Sequence, residues 1–199
     1  MLTHCGTKRI DTERLVIRKF DYSDTEDMLE FWINDPEIQF LYFEPIYRTK
    51  KEVKELLAEY ISFYEKLDYY RWAIIEKRSG YCIGQIAYFL IDTKNHFGEI
   101  EFCIGKRFQK KGYGAEAIRA ILDYGFNKIN LHKVQVCHEE SNLASKTLIK
   151  KFKFVYEGTL RDYFFMDGDY GNRLYYSMLK REYESMKKSD KDNIKVHSQ

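Results

Sequence analysis

Gln109-Lys110-Lys111-Gly112-Tyr113-Gly114-Ala115 stands between two patterns of different period. Before it, Glu99 to Gly105 (EIEFCIG) alternates like a strand; after it, Ile118, Ile121, Leu122, Phe126 and Ile129 recur at helical spacing. The stretch therefore reads as a glycine turn leading from a strand into a helix over about Gly112 to Ile129. At such a junction the first backbone N–H groups lack intrahelical partners, and the helix dipole adds positive potential. Glycines let an anion's oxygen approach the backbone, and Lys110 and Lys111 add charge at the rim. The junction is a candidate pyrophosphate cradle. It is neither the G-x-x-x-x-G-K-[ST] of a P-loop nor the full G-x-G-x-x-G of a dinucleotide fingerprint, and a turn used only to reverse the chain would carry the same letters.

Reading outward toward the N-terminus, Arg71 to Lys77, Tyr81 to Asp92 and Glu99 to Gly105 are strand-like, with turn signals at Ser79-Gly80 and Thr93-Lys94-Asn95. They are expected to form an antiparallel meander. Val53, Leu56, Leu57, Tyr60, Ile61 and Tyr64 make an amphipathic helix opened by a capping box at Thr49 to Glu52. Ser23-Asp24-Thr25-Glu26 has the same S-x-x-E form ahead of Met28, Phe31 and Trp32, a helix expected to end at Pro36. Leu15 to Phe20 alternates as a first strand, and Ile38 to Tyr47 reads as an aromatic loop or short helical turn.

Toward the C-terminus, Lys133 to Cys137 is a strand and Asn142 to Phe152 a helix. Phe154 to Phe165 and Tyr170 to Leu179 form a hairpin turning at Asp167-Gly168. The order β-α-α-β-β-β-α-β-α-β-β implies an α/β (α+β) fold, a mixed and mostly antiparallel central sheet flanked by helices. Residues 1–11 read as an arm, 12–183 as one domain and 184–199 as a polar tail expected to be disordered.

The chain has 199 residues, 44% hydrophobic and 32% charged, which suits one globular domain. A formal net charge of +2, with Lys and Arg dispersed, argues against a nucleic-acid footprint. The longest apolar runs are strand-sized, so no membrane span is expected. Cys5, Cys82, Cys103 and Cys137 are too widely spaced for a disulfide framework or a metal clip. With no apolar export signal in MLTHCGTKRI, a cytoplasmic protein with reduced thiols is expected. His132, Cys137 and His138 do not converge on a strand, so no metal is expected there.

The central segment, with several other motifs, resembles the GNAT acetyltransferases, whose signature is [QR]-x-x-G-x-[GA] at the start of the helix after the fourth strand. The resemblance runs from about Thr12 to Tyr183. Thr12-Glu13-Arg14-Leu15-Val16-Ile17-Arg18 is similar to the T-E-R-L-x-L-R of the ribosomal-protein N-terminal acetyltransferase branch. Asn142-Leu143-Ala144-Ser145 matches its N-x-x-S, Phe154-x-x-Glu157-Gly158 its F-x-x-E-G, and Asp167-Gly168-Asp169-Tyr170 its hairpin. Asp123-Tyr124-Gly125-Phe126 and Asn130-Leu131-His132-Lys133 also resemble the spermidine acetyltransferases. The resemblance implies acetyl-CoA as donor. Backbone groups of Cys103 and Ile104 would hold the pantetheine arm like an added strand. Amides from Gln109, Lys110 and Lys111 through Gly112, Tyr113, Gly114 and Ala115 would hold the pyrophosphate, and Asn142 would reach the cofactor.

Transfer to an amine needs a neutral nucleophile, a donor for the oxyanion and a proton or hydrogen bond for the leaving thiolate. Ser145 matches the serine that the family places near the sulfur. Glu99 and Glu101, two apart on one strand, share a face with Cys103 and are candidate bases. A catalytic tyrosine of the spermidine branch falls at Ile149, a glutamate base of part of the ribosomal branch at Phe164, and Lys153 replaces a glycine. Tyr42 and Tyr47 are candidate acceptor contacts, and Glu44 could draw in a cationic amine. The acceptor is a protein N-terminus, a polyamine or another small amine; the alternative is a weakly catalytic module that binds acetyl-CoA as a sensor or subunit. Apolar strands near the C-terminus could pair two copies of the chain.

Overall fold

A computed structural model describes residues 1–42, 44–166 and 168–196. Asp167 of the expected hairpin turn lies outside the described residues, as do positions 197–199 of the expected tail. The strands are β1 (Ile10–Asp11), β2 (Leu15–Arg18), β3 (Tyr70–Glu76), β4 (Cys82–Asp92), β5 (Phe97–Ile104), β6 (Lys133–Glu139), β7 (Val155–Met166) and β8 (Asp169–Leu179). They form one sheet in the order β1-β2-β3-β4-β5-β6-β8-β7. Neighbours run antiparallel except β5 and β6, which are parallel.

That parallel pair needs a crossover, and the chain makes it with α4 (Tyr113–Tyr124), extended by a π-turn over Gly125–Ile129. The stripe read in the sequence is the buried face: Ala117, Ile118, Ile121 and Leu122 lie in the core. α5 (Leu143–Lys151) packs on β6. α1 (Thr25–Met28, with a π-turn to Ile33), α2 (Pro36–Tyr42) and α3 (Lys50–Ser62) precede the meander. Thr49 and Glu52 close the capping box of α3 as expected.

Three local expectations are corrected. The first capping box is not Ser23 with Glu26: Asp21 accepts the Ser23 amide, and Asp24 accepts the Asp21 amide. A carboxylate two positions earlier is the stronger acceptor, and Arg18 fixes Asp24 at 2.7 Å. Pro36 opens α2 rather than only ending α1, since a proline at the first helical position gives up an N–H that has no intrahelical acceptor; Asp35 Oδ1 takes the next amides, from Glu37 and Ile38. The polar C-terminal segment is helical as α6 (Lys180–Val196). Its first turns are docked: Tyr183 stacks on Phe126 at 4.8 Å between ring centres, and both Tyr183 and Lys187 bond Asp123.

One ladder of the sheet is partial. β5 pairs with β4 as far as Ile104, but with β6 only from Phe97 to Ile100, opposite Lys133 to Val136. Beyond Ile100 and Val136 the two strands part, while β6 continues with β8 to Glu139. The opening lies at the C-terminal end of β5, where α4 begins.

Gly125 holds the crossover against the sheet. A Cβ there would run into the Tyr88 hydroxyl and lie 2.8 Å from its Cζ, and that buried hydroxyl donates to the Ile121 carbonyl at 2.8 Å. Gly125→Ala is expected to destabilise the protein by about 1–3 kcal/mol, lowering the melting temperature by roughly 5 °C. Adding Tyr88→Phe should recover part of the loss in thermal denaturation.

Candidate active site

The cradle takes its shape from two left-handed residues, Lys110 (φ 59°) and Gly112 (φ 85°). Gly112 stands at the N-cap of α4 and brings no side chain to cap the helix. The first helical bond runs from Glu116 N–H to the Gly112 carbonyl at 3.1 Å, which leaves the amides of Tyr113, Gly114 and Ala115 ahead of the ladder. Arg14 braces this turn: it donates to the Lys111 carbonyl at 2.9 Å and to Glu116 at 2.7 Å, and lies over the Tyr113 ring. Gln109 is turned back on the strand, its Nε2 donating to the Ile104 carbonyl at 2.8 Å. Its side chain thus anchors the cradle to β5.

The gap follows directly. Gly105 N–H donates to the Ile83 carbonyl at 2.9 Å, which makes Gln85 and Cys103 the next hydrogen-bonded pair of the β4–β5 ladder. The backbone groups of Phe102 and Ile104 therefore turn toward β6, where the strand has left. An extended chain entering the gap would meet Phe102 and Ile104. The backbone of Cys103 faces β4, so its alternation places Phe102 where the sequence reading placed Cys103.

Glu99 and Glu101 lie on the opposite face from Ile100, and each is met by an arginine. Arg71 of β3 donates to Glu101 at 2.6 Å, and Arg173 of β8 donates to Glu99 at 2.8 Å. In each case Nη2 donates to Oε1. Burial opposes the charge on Arg71, but Tyr60, Tyr42 and Glu101 outweigh it and hold the guanidinium well above its usual range. Burial pushes the Cys103 thiol up. Partial desolvation, then the Glu101 charge, holds the Glu44 carboxyl above the ordinary carboxylate range. Tyr42 faces the same group with its hydroxyl buried and unpartnered among the described residues; desolvation, then Glu101, raises it. The desolvation of Tyr47, joined by the Glu44 charge, raises that phenol too. The structure thus gathers Tyr42, Glu44, Arg71, Glu101 and Cys103 on one side of the sheet.

On the other side of the opening, Asn142 caps α5, its Oδ1 accepting the Ser145 amide at 3.0 Å. Ser145 sits in that first turn, and Ile149 is buried one turn later. Phe164 lies on β7, with the Arg173 guanidinium 5.8 Å from its ring centre. Cys137 accepts from Arg173 Nε at 3.0 Å, and burial pushes its thiol up to about 12. His138 turns Nδ1 to the Glu139 carbonyl at 2.6 Å. Among the described residues no group of three His, Cys, Asp or Glu side chains stands together to hold a metal ion, and no helix is long and apolar enough to cross a membrane. Sequence reasoning missed Arg71 and Arg173. Neither sits in a motif; each becomes a neighbour of its glutamate only through strand register.

The model of the acetyltransferase (GNAT) domain family matches residues 14–155, and the chain belongs to that family. It is 30% identical over 173 residues to the uncharacterized N-acetyltransferase p20 of Bacillus licheniformis, covering 86% of this chain and 96% of that protein. A GCN5-related N-acetyltransferase from Brucella melitensis superposes with a TM-score of 0.81 at 19% identity, over 94% of this chain and 85% of that one. Spermidine N-acetyltransferase from Vibrio cholerae, solved in complex with CoA and spermine, superposes with a TM-score of 0.75 at 25% identity, over 86% and 99%.

The cradle makes a direct prediction. Gly112→Asp adds a negative charge beside the first amides of α4, from a Cβ 3.2 Å from Arg14 Nη2, in a backbone conformation that Asp and Asn both tolerate. CoA affinity measured by calorimetry should fall at least tenfold for Gly112→Asp and much less for Gly112→Asn. Equal losses would show that backbone strain, not charge, is responsible.

Proposed function

We propose that this chain transfers the acetyl group of acetyl-CoA directly to a primary amine. The observation that carries the reading is the continuity of three parts: an uncapped amide cradle at Gly112 to Ala115, the turned-out backbone of Phe102 and Ile104, and the carboxylates of Glu101 and Glu99 at the closed end of the gap.

The residues fit the donor. Amides of the Lys110–Ala115 turn hold a pyrophosphate, with Lys110 and Lys111 at the rim. Phe102 and Ile104 offer backbone groups to an amide-bearing arm, in the manner of an added strand. The thioester supplies an activated acyl carbon. An amine reaching it is protonated at neutral pH, since a free alkylamine titrates near about 10. Glu44 and Glu101 draw that cation in, and Tyr42 and Tyr47 wall the approach. Glu101, the first residue past the parting of the strands, accepts the proton that the nitrogen sheds; Arg71 holds the carboxylate in place. Glu99, held by Arg173, is the second acceptor. An N–H of Phe102 or Ile104 faces the developing oxyanion. Ser145 gives its hydroxyl proton as a hydrogen bond to the leaving sulfur. On this reading the catalytic domain spans residues 12–183, and the four free thiols fit a reducing cytoplasm. Exposed Leu160 and Phe165 on edge strand β7 support pairing with a second copy. The Vibrio cholerae spermidine enzyme and the ribosomal-protein motifs both support an amine acceptor.

Thiol release from acetyl-CoA, followed over a panel of peptide N-termini, polyamines and amino sugars, tests the reading. Release with an amine supports it; CoA binding without release from any acceptor favours the sensor module. Glu101→Gln should lower kcat by about 10- to 100-fold while leaving the affinity for CoA within about twofold. Ser145→Ala should lower kcat less than tenfold and likewise spare CoA binding; unchanged kcat would remove its role.

A further inference from the structure

At the closed end of the gap, on the face covered by α4 and α5, lies a cavity of about 10 Å³. Ile100 and Val136, the last residues paired between β5 and β6, form its floor; Ile118 of α4, Leu148 and Ile149 of α5, and Phe154 close it. The lining is wholly apolar. A space of this size admits one water-sized group, but a water there would find no polar partner. Close-packed interiors seldom leave such a void beside their main core.

Its position gives it a use. A cofactor arm held at the cradle and along Ile104 and Phe102 runs toward Ile100, so its reactive end arrives where the strands close. Gly114, in the first turn of α4, would place a Cβ 3.7 Å from Phe102 and 3.8 Å from Ile104, on the arm's track, and 3.5 Å from Leu148, which also lines the cavity, so Leu148 borders both. We infer that the cavity is an acyl pocket with room for one carbon beyond acetyl, so that this chain accepts propionyl-CoA as a donor at least as well as acetyl-CoA. The inference rests on the proposed acyl transfer. The step itself is unchanged: a C–N bond forms, the C–S bond breaks with its electron pair on sulfur, and the proton lost by nitrogen is balanced by one gained by the thiolate.

Burial of one further methyl group predicts propionyl-CoA binding about fourfold tighter than acetyl-CoA, with butyryl-CoA weaker than propionyl-CoA. Calorimetric titration of the wild-type protein with the three thioesters reads this without turnover. Affinity for propionyl-CoA equal to or below that for acetyl-CoA overturns the acyl pocket while leaving the transferase reading intact; failure of all three, and of CoA, to bind overturns the transferase reading instead. Two variants move the ratio in opposite directions, which misfolding cannot do. Ile149→Phe should fill the cavity and reverse the preference for propionyl over acetyl, and Ile149→Ala should raise butyryl relative to acetyl. If both variants keep the wild-type order of affinities, the pocket assignment fails.

Discussion

The parting of β5 from β6 is the constraint on which the rest of the site depends. Peptide groups taken out of a ladder must find water or another partner. β5 stays with β4 through Ile104, while β6 stays with β8 through Glu139, so the gap between them widens without either strand losing its other neighbour. What opens is a backbone edge inside a sheet rather than at its margin. The parallel relation of the two strands then fixes the rest. A parallel pair requires a crossover, and a right-handed crossover starts its helix at the C-terminal end of the first strand. The amide cradle and the opened strand edge are therefore consecutive along one track, with Gln109 tying the cradle to Ile104.

The same geometry explains the charge arrangement. Two carboxylates on one strand face sit about 6.6 Å apart along the chain. Left alone they would repel; here one arginine from each wing of the sheet takes one of them. Arg71 approaches from the β3 side under Tyr60, and Arg173 from β8 between Tyr163 and Tyr175. Each pair orients its carboxylate. The local charge is balanced at the floor of the sheet and acidic only toward the rim, at Glu44.

Some of this was legible in the chain itself. The glycine turn between Gly105 and Ile118 marks a strand-to-helix junction because the hydrophobic period changes across it, and the α4 stripe is the buried face. Thr49 and Glu52 announced the start of α3. Where the reading slipped, a nearby competitor decided: Asp21 outbid Ser23 as a cap, Pro36 opened a helix instead of only ending one, and Tyr183 found Phe126 and so ordered the start of a segment whose composition is polar. Cys103 and Phe102 differ by one position, but in a strand one position exchanges the two edges, and only the pairing with Gln85 shows which edge each backbone faces.

By itself the sequence determined the local elements, their order and the glycine turn that opens α4, because period, caps and glycines act over a few residues. Tertiary structure decided what those elements meet. Arg71 and Glu101 are 30 residues apart, and Arg173 and Glu99 are 74 apart. No local pattern encodes such pairs; strand register does. The gap and the cavity at its end are likewise spaces between chain segments, and a space between segments exists only once the sheet has formed.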